Sequence, residues 1–315
     1  MASDGHLAHV RPALVTVAAA QSQRSVTEPS TPRVSVVVPT RNRPLELERC
    51  LRALDGQETD CDFEVVVVND GGTMRRDLSA VVPKRQTRLL QGGGRGPAAA
   101  RNLGLRASSG AIVLFTDDDT IPEPLWVDAA WRFLEEHSGH VGVSGPIESP
   151  PYDYLYEHSI EADRVSFWTS NIAYRRSALD QLGGFCEDFI WPHCEDLDLG
   201  YRSEALGPIG FAPQMRVRHP ARSVSLWQLV KRGRYASSEL QLYARHPQRY
   251  RIPRGVPLRA LPVLRVALTW TQHLRCEGRS IIARPRRLLR LAGAAAGEFA
   301  LTAATVAMTR LPKAQ

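Results

Sequence analysis

From Arg33 onward the chain alternates between two hydrophobic rhythms. Unbroken apolar runs, Val34-Ser35-Val36-Val37-Val38, Phe63-Glu64-Val65-Val66-Val67-Val68 and Ala111-Ile112-Val113-Leu114-Phe115, are separated by segments with apolar residues at helical spacing. Runs of this kind predict strands covered on both faces. Pro39 stops the first strand and Asn69-Asp70-Gly71-Gly72 the second, and Thr87 to Leu90 reads as a short third. Leu47, Leu51 and Leu54 fall on one side of a helix from Leu45 to Leu54. Pro97 to Ala107 predicts another, with proline in its first turn, and Pro124 to Glu136 a third. Strands and helices in this order predict an α/β domain with a mainly parallel, Rossmann-like sheet flanked by helices. Ligands of such sheets sit beyond the carboxyl ends of the strands. Pro39-Thr40-Arg41-Asn42, Asn69-Asp70 and Asp117-Asp118-Asp119 all fall there.

Outside this region the pattern changes. Residues 1–32 are polar and aperiodic, which predicts a disordered leader. Within them, Ala13 to Ala20 is only faintly like a secretion signal, being short and weakly basic upstream. The α/β domain is expected over residues 33–222. Beyond about Ser223 strand signals vanish, and Trp227 to Tyr243, Leu258 to Leu274 and Pro285 to Arg310 predict a C-terminal helical region over 223–315. Arg286, Arg287 and Arg290 lead its last, Ala/Leu-rich stretch, which suits packing on the core or lying on a membrane surface. No unbroken apolar run reaches eighteen residues, so no membrane span is predicted.

Composition narrows the picture little: 315 residues, 43% hydrophobic and 23% charged, are ordinary for a globular protein. The net charge of +7 fits a basic surface facing anionic lipid or an anionic substrate. Nucleic acid is not expected, because finger, aromatic-basic and basic-zipper patterns are missing. Five cysteines, an odd number without C-x-x-C spacing, indicate neither a disulfide framework nor a zinc site. A cytoplasmic location, peripheral on the inner face of the plasma membrane if the basic helices touch it, is the expectation.

Chemistry concentrates in two acidic clusters, Asp117-Asp118-Asp119 and Glu195-Asp196-Leu197-Asp198. Three adjacent carboxylates at a strand end repel one another and require a counter-charge. Mg²⁺ or Mn²⁺ shared with a pyrophosphate supplies one, since these ions favour carboxylate and phosphate oxygens.

An ordered series of motifs resembles the family 2 glycosyltransferases. It comprises Val36-Val37-Val38-Pro39-Thr40-Arg41-Asn42-Arg43, Val67-Val68-Asn69-Asp70-Gly71, Ala100-Arg101-Asn102-Leu103-Gly104-Leu105 and Phe115-Thr116-Asp117-Asp118-Asp119, followed by Ser170-Asn171-Ile172-Ala173-Tyr174-Arg175-Arg176, Leu182-Gly183-Gly184-Phe185 and Glu195-Asp196-Leu197-Asp198-Leu199-Gly200-Tyr201-Arg202. The resemblance runs from about Val34 to about His219. It implies the GT-A fold and a metal-dependent, inverting transfer of sugar from a nucleotide-diphosphate sugar to an acceptor hydroxyl; the basic C-terminal helices fit a cell-envelope glycan or lipid-linked acceptor.

By the same resemblance Asp70 reads the base, while Pro39, Thr40, Arg41, Asn42, Arg101 and Asn102 line the nucleotide pocket. Gly72 and Met74 stand where the family often has Ser and Asp, which leaves the base open. Asp117 faces ribose or metal, Asp118 shares either task, and Asp119 ligates Mn²⁺ or Mg²⁺, with His219 completing the shell. Asp196 matches the catalytic base, and as an ionised carboxylate it needs no raised pKa. Glu195 orients the acceptor, and Asp198 is expected to cap the following helix. Trp168, Asn171, Trp191 and His193 mark the acceptor side, although the tryptophans suit core packing as well as a sugar ring or lipid chain. The Gly-rich stretch Gln91 to Gly96 reads as a flexible loop beside the nucleotide. Two alternatives remain: a nucleotidyltransferase that forms nucleotide sugars, against which the missing Gly-rich start after the first strand argues, and a non-catalytic sugar- or lipid-binding relative.

Overall fold

The computed structural model describes residues 32–72, 86–151, 157–158, 160–250, 252, 255–282 and 285–311. Apart from Pro32, the expected leader lies outside the described residues, as does Met74. The strands are β1 (Val34–Thr40), β2 (Phe63–Asn69), β3 (Thr87–Gln91), β4 (Ile112–Phe115), β5 (Ile121–Pro122) and β6 (Gly142–Ser144). They continue with β7 (Ile147–Glu148), β8 (Glu157–His158), β9 (Ile172–Arg175), β10 (Ile209–Phe211), β11 (Val217–Arg218) and β12 (Arg222–Ser223). The α-helices are α1 (Pro44–Asp55), α2 (Pro97–Ala107), α3 (Trp126–Glu136), α4 (Arg176–Leu182) and α5 (Glu195–Ser203), then α6 (Leu226–Lys231), α7 (Ala236–Arg245), α8 (Leu261–Ile282) and α9 (Pro285–Met308).

Seven strands form the central sheet in the order β10-β6-β9-β4-β1-β2-β3. The expected parallel arrangement holds for β4-β1-β2-β3 and for β10-β6, and β9 runs antiparallel to both β4 and β6. Residues Val36, Val38, Val65 and Val67 are buried against Leu47, Leu51 and Leu54 of α1, and Val37, Val113 and Phe115 face the opposite core with Ala98 and Leu105 of α2. Both faces of the sheet are therefore dry, which is why its strands lack polar alternation. Helix α2 lies close to β1: a side chain on Gly104 would meet Val37 Cγ1 at 2.4 Å.

The register sets the site. Thr40 pairs with Asn69, and Val37 with Phe115, so β1, β2 and β4 end on one edge and deliver their polar residues there.

After Ser223 the described chain is helical. A continuous helix from Trp227 to Tyr243 was expected, but the chain tightens to a 3₁₀ turn over Arg232–Tyr235. There Gly233 packs on α9, and a side chain on it would lie 2.8 Å from the Glu298 carbonyl. A 20-residue stretch of α9, Leu289–Met308, is long and apolar enough to cross a membrane, although no unbroken apolar run was seen in it. One side of it is buried through Leu291, Ala294, Glu298, Thr302 and Val306. Trp270 Nε1 donates to Glu298 at 2.9 Å, tying α8 to α9.

Candidate active site

The aspartate triplet follows β4 on a tight turn, closed by the Thr120 N–H donating to the Asp117 carbonyl at 3.3 Å. Successive side chains then point to different partners. Asp117 accepts from Arg101 Nη2 at 2.9 Å. Asp118 turns inward, accepting from Thr40 Oγ1 at 2.7 Å and Arg43 Nη1 at 2.9 Å. Burial pushes its carboxyl up to about 6, against the pull of Arg43. Asp119 accepts from Arg43 Nη1 at 2.9 Å and Arg222 Nη1 at 3.0 Å, both on Oδ2, and its Oδ1 lies 3.7 Å from His219 Nε2. Burial alone would raise this carboxyl; Arg43, Arg222 and His219 outweigh it and hold it below the usual carboxylate range.

The second cluster opens α5. Cys194 sits at the N-cap in left-handed conformation (φ 72°), placing Glu195 and Asp196 in the first helical turn, where the helix dipole favours carboxylates. Buried Arg101 joins the clusters, donating from Nη1 to Glu195 at 2.8 Å and from Nη2 to Asp117 at 2.9 Å. Its guanidinium also lies over the Phe185 ring, 5.7 Å from the centroid. Asp196 keeps part of its surface open to solvent but is hemmed in by protein, and its Oδ1 accepts the Leu197 N–H at 2.8 Å. Desolvation, reinforced by neighbouring Glu195, raises its carboxyl to about 7. From the sequence, no raised pKa was required of this base; the upward shift comes from its desolvation and the adjacent acid, which spacing alone does not weigh.

Other expected positions take different places. Asp70 is buried, and its two oxygens accept the N–H groups of Arg95 (3.1 Å) and Gly96 (2.9 Å). It thus anchors the Gly-rich loop to the start of α2. Gly96 has φ 99°, and a side chain there would meet the Ile190 carbonyl at 2.4 Å. Thr40 is buried, Pro39 half-buried, and Arg41 and Asn42 exposed at the same strand end. Asn102 was expected to line the nucleotide pocket. Its amide is instead spent on the turn before α5, donating to the Phe185 carbonyl (2.9 Å) and Glu187 (3.0 Å) and accepting the Phe185 N–H (2.8 Å). Asp198 does not cap α5 but lies inside it, bonded to Arg202 and, at 3.0 Å, to His246 Nε2.

Asn171, expected on the acceptor side, is fully buried. It accepts from Trp126 Nε1 and donates to the carbonyls of Pro146 and Met215, each at 2.8 Å. Asn171→Ala removes the partner of Trp126 Nε1 and of the Met215 carbonyl, while the Pro146 carbonyl keeps the Val217 N–H at 3.1 Å; we expect it to cost about 2–3 kcal/mol, measured as a lower urea midpoint. Trp168 is partly buried against the main core. Trp191 and His193 remain half-exposed: Arg234 lies over Trp191 at 5.3 Å, and His193 stacks on Tyr235 at 5.0 Å with its Nε2 3.2 Å from Glu239. The helical region thus packs on the turn that leads into the Glu195–Asp196 cluster.

Sequence reasoning missed several neighbours. Arg43 stood inside a quoted motif without a role, and the pairing of Arg222 with Asp119 leaves no local signal. His158 on β8, next to Arg222 on β12, is held neutral, down to about 4, first by burial and then by Arg222 and Arg232.

For a divalent cation, Asp119 and His219 offer the oxygen and nitrogen donors that suit Mn²⁺. Among the described residues no third His, Cys, Asp or Glu makes a protein-only cage. Two protein donors fit an ion that fills its shell from phosphate and water.

Residues 35–191 match the family model described as "Glycosyl transferase family 2". A hyaluronan synthase of Pasteurella multocida is 36% identical over 54% of this chain and 22% of its own length. A pre-mycofactocin glycosyltransferase of Mycobacterium tuberculosis is 30% identical over 70% of this chain and 50% of its own. The chain thus spans half or less of these relatives. Among solved structures, a mannosyltransferase of Pyrobaculum calidifontis in complex with GDP-Man and Mn²⁺ superimposes with a TM-score of 0.55, covering 89% of this chain and 85% of that one at 22% identity. That likeness establishes the GT-A-type fold.

Proposed function

The chain belongs to glycosyl transferase family 2, matched over residues 35–191, and on that footing we propose that it moves a sugar from a nucleotide-diphosphate sugar to an acceptor hydroxyl with inversion. One observation carries the reading. Arg101 bridges Asp117 of the triplet at the end of β4 to Glu195 at the start of α5, so the carboxylates read as the cation site and the pair that contains the assigned base are held together by one guanidinium.

Asp196 takes the proton of the attacking hydroxyl, and a base near pKa 7 is well matched to that task. Glu195, held by Arg101, sets the local charge and orients the acceptor. Asp119 and His219 would hold Mn²⁺ or Mg²⁺, with Asp117 and Asp118 adding negative charge beside it. Bound there, the cation serves as a Lewis acid for the departing diphosphate. Thr40, Arg41, Asn42 and Arg101 bound the nucleotide, and Asp70 holds the loop that covers it. The acceptor oxygen bonds to the anomeric carbon as the bond to the diphosphate breaks on the opposite face, and this single displacement inverts the centre; a double displacement would need a glycosyl nucleophile from the protein. Trp191 and His193 face the acceptor, which we take to be a cell-envelope glycan or lipid-linked carrier. Exposed Leu264, Leu268 and Leu289, with Arg286, Arg287 and Arg290 in sequence beside the last, favour a peripheral seat on anionic membrane.

The test is incubation with UDP-, GDP- and dTDP-sugars plus Mn²⁺. Release of nucleoside diphosphate is expected. Pyrophosphate would mark a nucleotidyltransferase instead, and no product a binding protein.

Asp196 must be ionised to act, so activity is lost as pH falls through its raised pKa. We expect kcat/KM to drop about tenfold per pH unit below about pH 7, a limb that steady-state rates across pH 5–9 would show. A flat acid limb down to pH 5 counts against the assignment.

A further inference from the structure

Three adjacent carboxylates need a counter-charge, and the structure provides one from the protein itself. Arg43 Nη1 lies 2.9 Å from both Asp118 Oδ1 and Asp119 Oδ2. Arg222 Nη1 reaches the same Asp119 oxygen at 3.0 Å. Two guanidinium groups thus converge on one oxygen of the carboxylate assigned to the cation. They come from distant segments of the chain: Arg43 from the turn between β1 and α1, and Arg222 from β12, just before the helical region. The arginine side chains are 39% and 42% exposed, so solvent can receive them if they leave, whereas those of Asp118 and Asp119 are 4% and 11% exposed.

We propose that Arg43 and Arg222 occupy the place of the cation until the donor arrives, and then pass from the aspartates to the donor's diphosphate. The inference rests on the reading that Asp119 takes the metal. Arginine stays charged at any working pH, so a divalent ion landing on Asp119 repels both guanidinium groups and they cannot relieve the conflict by losing a proton. A diphosphate brings oxygens that match the guanidinium fork and replaces the partner each arginine gives up. Metal alone must displace the arginines uncompensated, and metal with diphosphate need not. Cation and nucleotide therefore bind together, each tightening the other by the same factor.

Mn²⁺ binding to the full chain, followed by electron paramagnetic resonance of the free ion, tests this without any turnover. Wild-type protein is expected to bind Mn²⁺ weakly alone and about tenfold or more tighter with UDP or GDP. In Arg222→Gln, Mn²⁺ alone should bind about tenfold tighter, because one competitor is gone, while UDP or GDP in saturating Mn²⁺ should bind weaker. A merely structural role would weaken both. Arg43→Gln should give the same pair of opposite shifts. Unchanged or weaker Mn²⁺ binding in both variants overturns the proposal. Asp119→Asn separates the two levels: if it abolishes Mn²⁺ binding while neither arginine variant gains any, only the exchange fails. If it leaves Mn²⁺ binding intact, the metal assignment itself fails.

Discussion

Asp196→Asn is expected to lower kcat by about 10²–10⁴-fold while leaving nucleotide binding nearly intact. The amide keeps the shape of the side chain and can still accept the Leu197 N–H seen at 2.8 Å, so the local helix should persist. What it lacks is the capacity to take a proton. Stability should hold or rise, because the wild-type carboxylate is desolvated and sits beside Glu195, the two causes that raise its pKa. Steady-state kinetics with the donor found by the nucleotide-sugar screen, together with UDP or GDP titration, would check both halves. The variant's residual rate should also lose the acid limb near pH 7. Turnover within threefold of wild type would remove Asp196 from the mechanism.

Arg101→Met is expected to cost about 3–5 kcal/mol of stability, the penalty for leaving one partner of a buried ion pair uncompensated. The guanidinium and Glu195 are each 5% exposed, so water cannot substitute for the missing cation, whereas Asp117, at 25%, is partly rescued by solvent. The like-charge pair Glu195–Asp196 loses the cation that opposes its protonation, so the acid limb should move to higher pH. Arg101→Lys should recover part of the stability but not the double bridge, since one ammonium cannot reproduce the two-armed fork. Chemical denaturation of the three proteins would decide it. An Arg101→Met midpoint equal to wild type would mean that the two acidic clusters stand independently.

Much of the scaffold could be read along the chain. The apolar runs became β1, β2 and β4, and Pro97 to Ala107 became α2 with the expected ends. The placing of Thr40, Asn69 and the aspartate triplet at strand ends followed from chain order. The errors fall where a polar side chain chooses its partner. Asn102 and Asn171 sit inside motifs that suggest a pocket, yet their amides satisfy buried carbonyls and N–H groups. Asp198 looked like a cap because acidic residues favour helix starts, and the left-handed turn at Cys194 moved that start upstream.

Local period and turn chemistry were enough to set β1 to β4, the helices α1 to α3 and the places of the two acidic clusters, because each depends on neighbours a few positions away; the family came from the resemblance of the ordered motifs. The raised pKa of Asp196, the Arg101 bridge, the arginines gripping Asp119 and the seating of His193 on the helical region were decided in three dimensions. Arg222 and Asp119, like His193 and Glu239, are joined across long stretches of chain. Charge interactions of this kind depend on distance and burial, and only the folded path brings these groups within about 3 Å and removes the water between them.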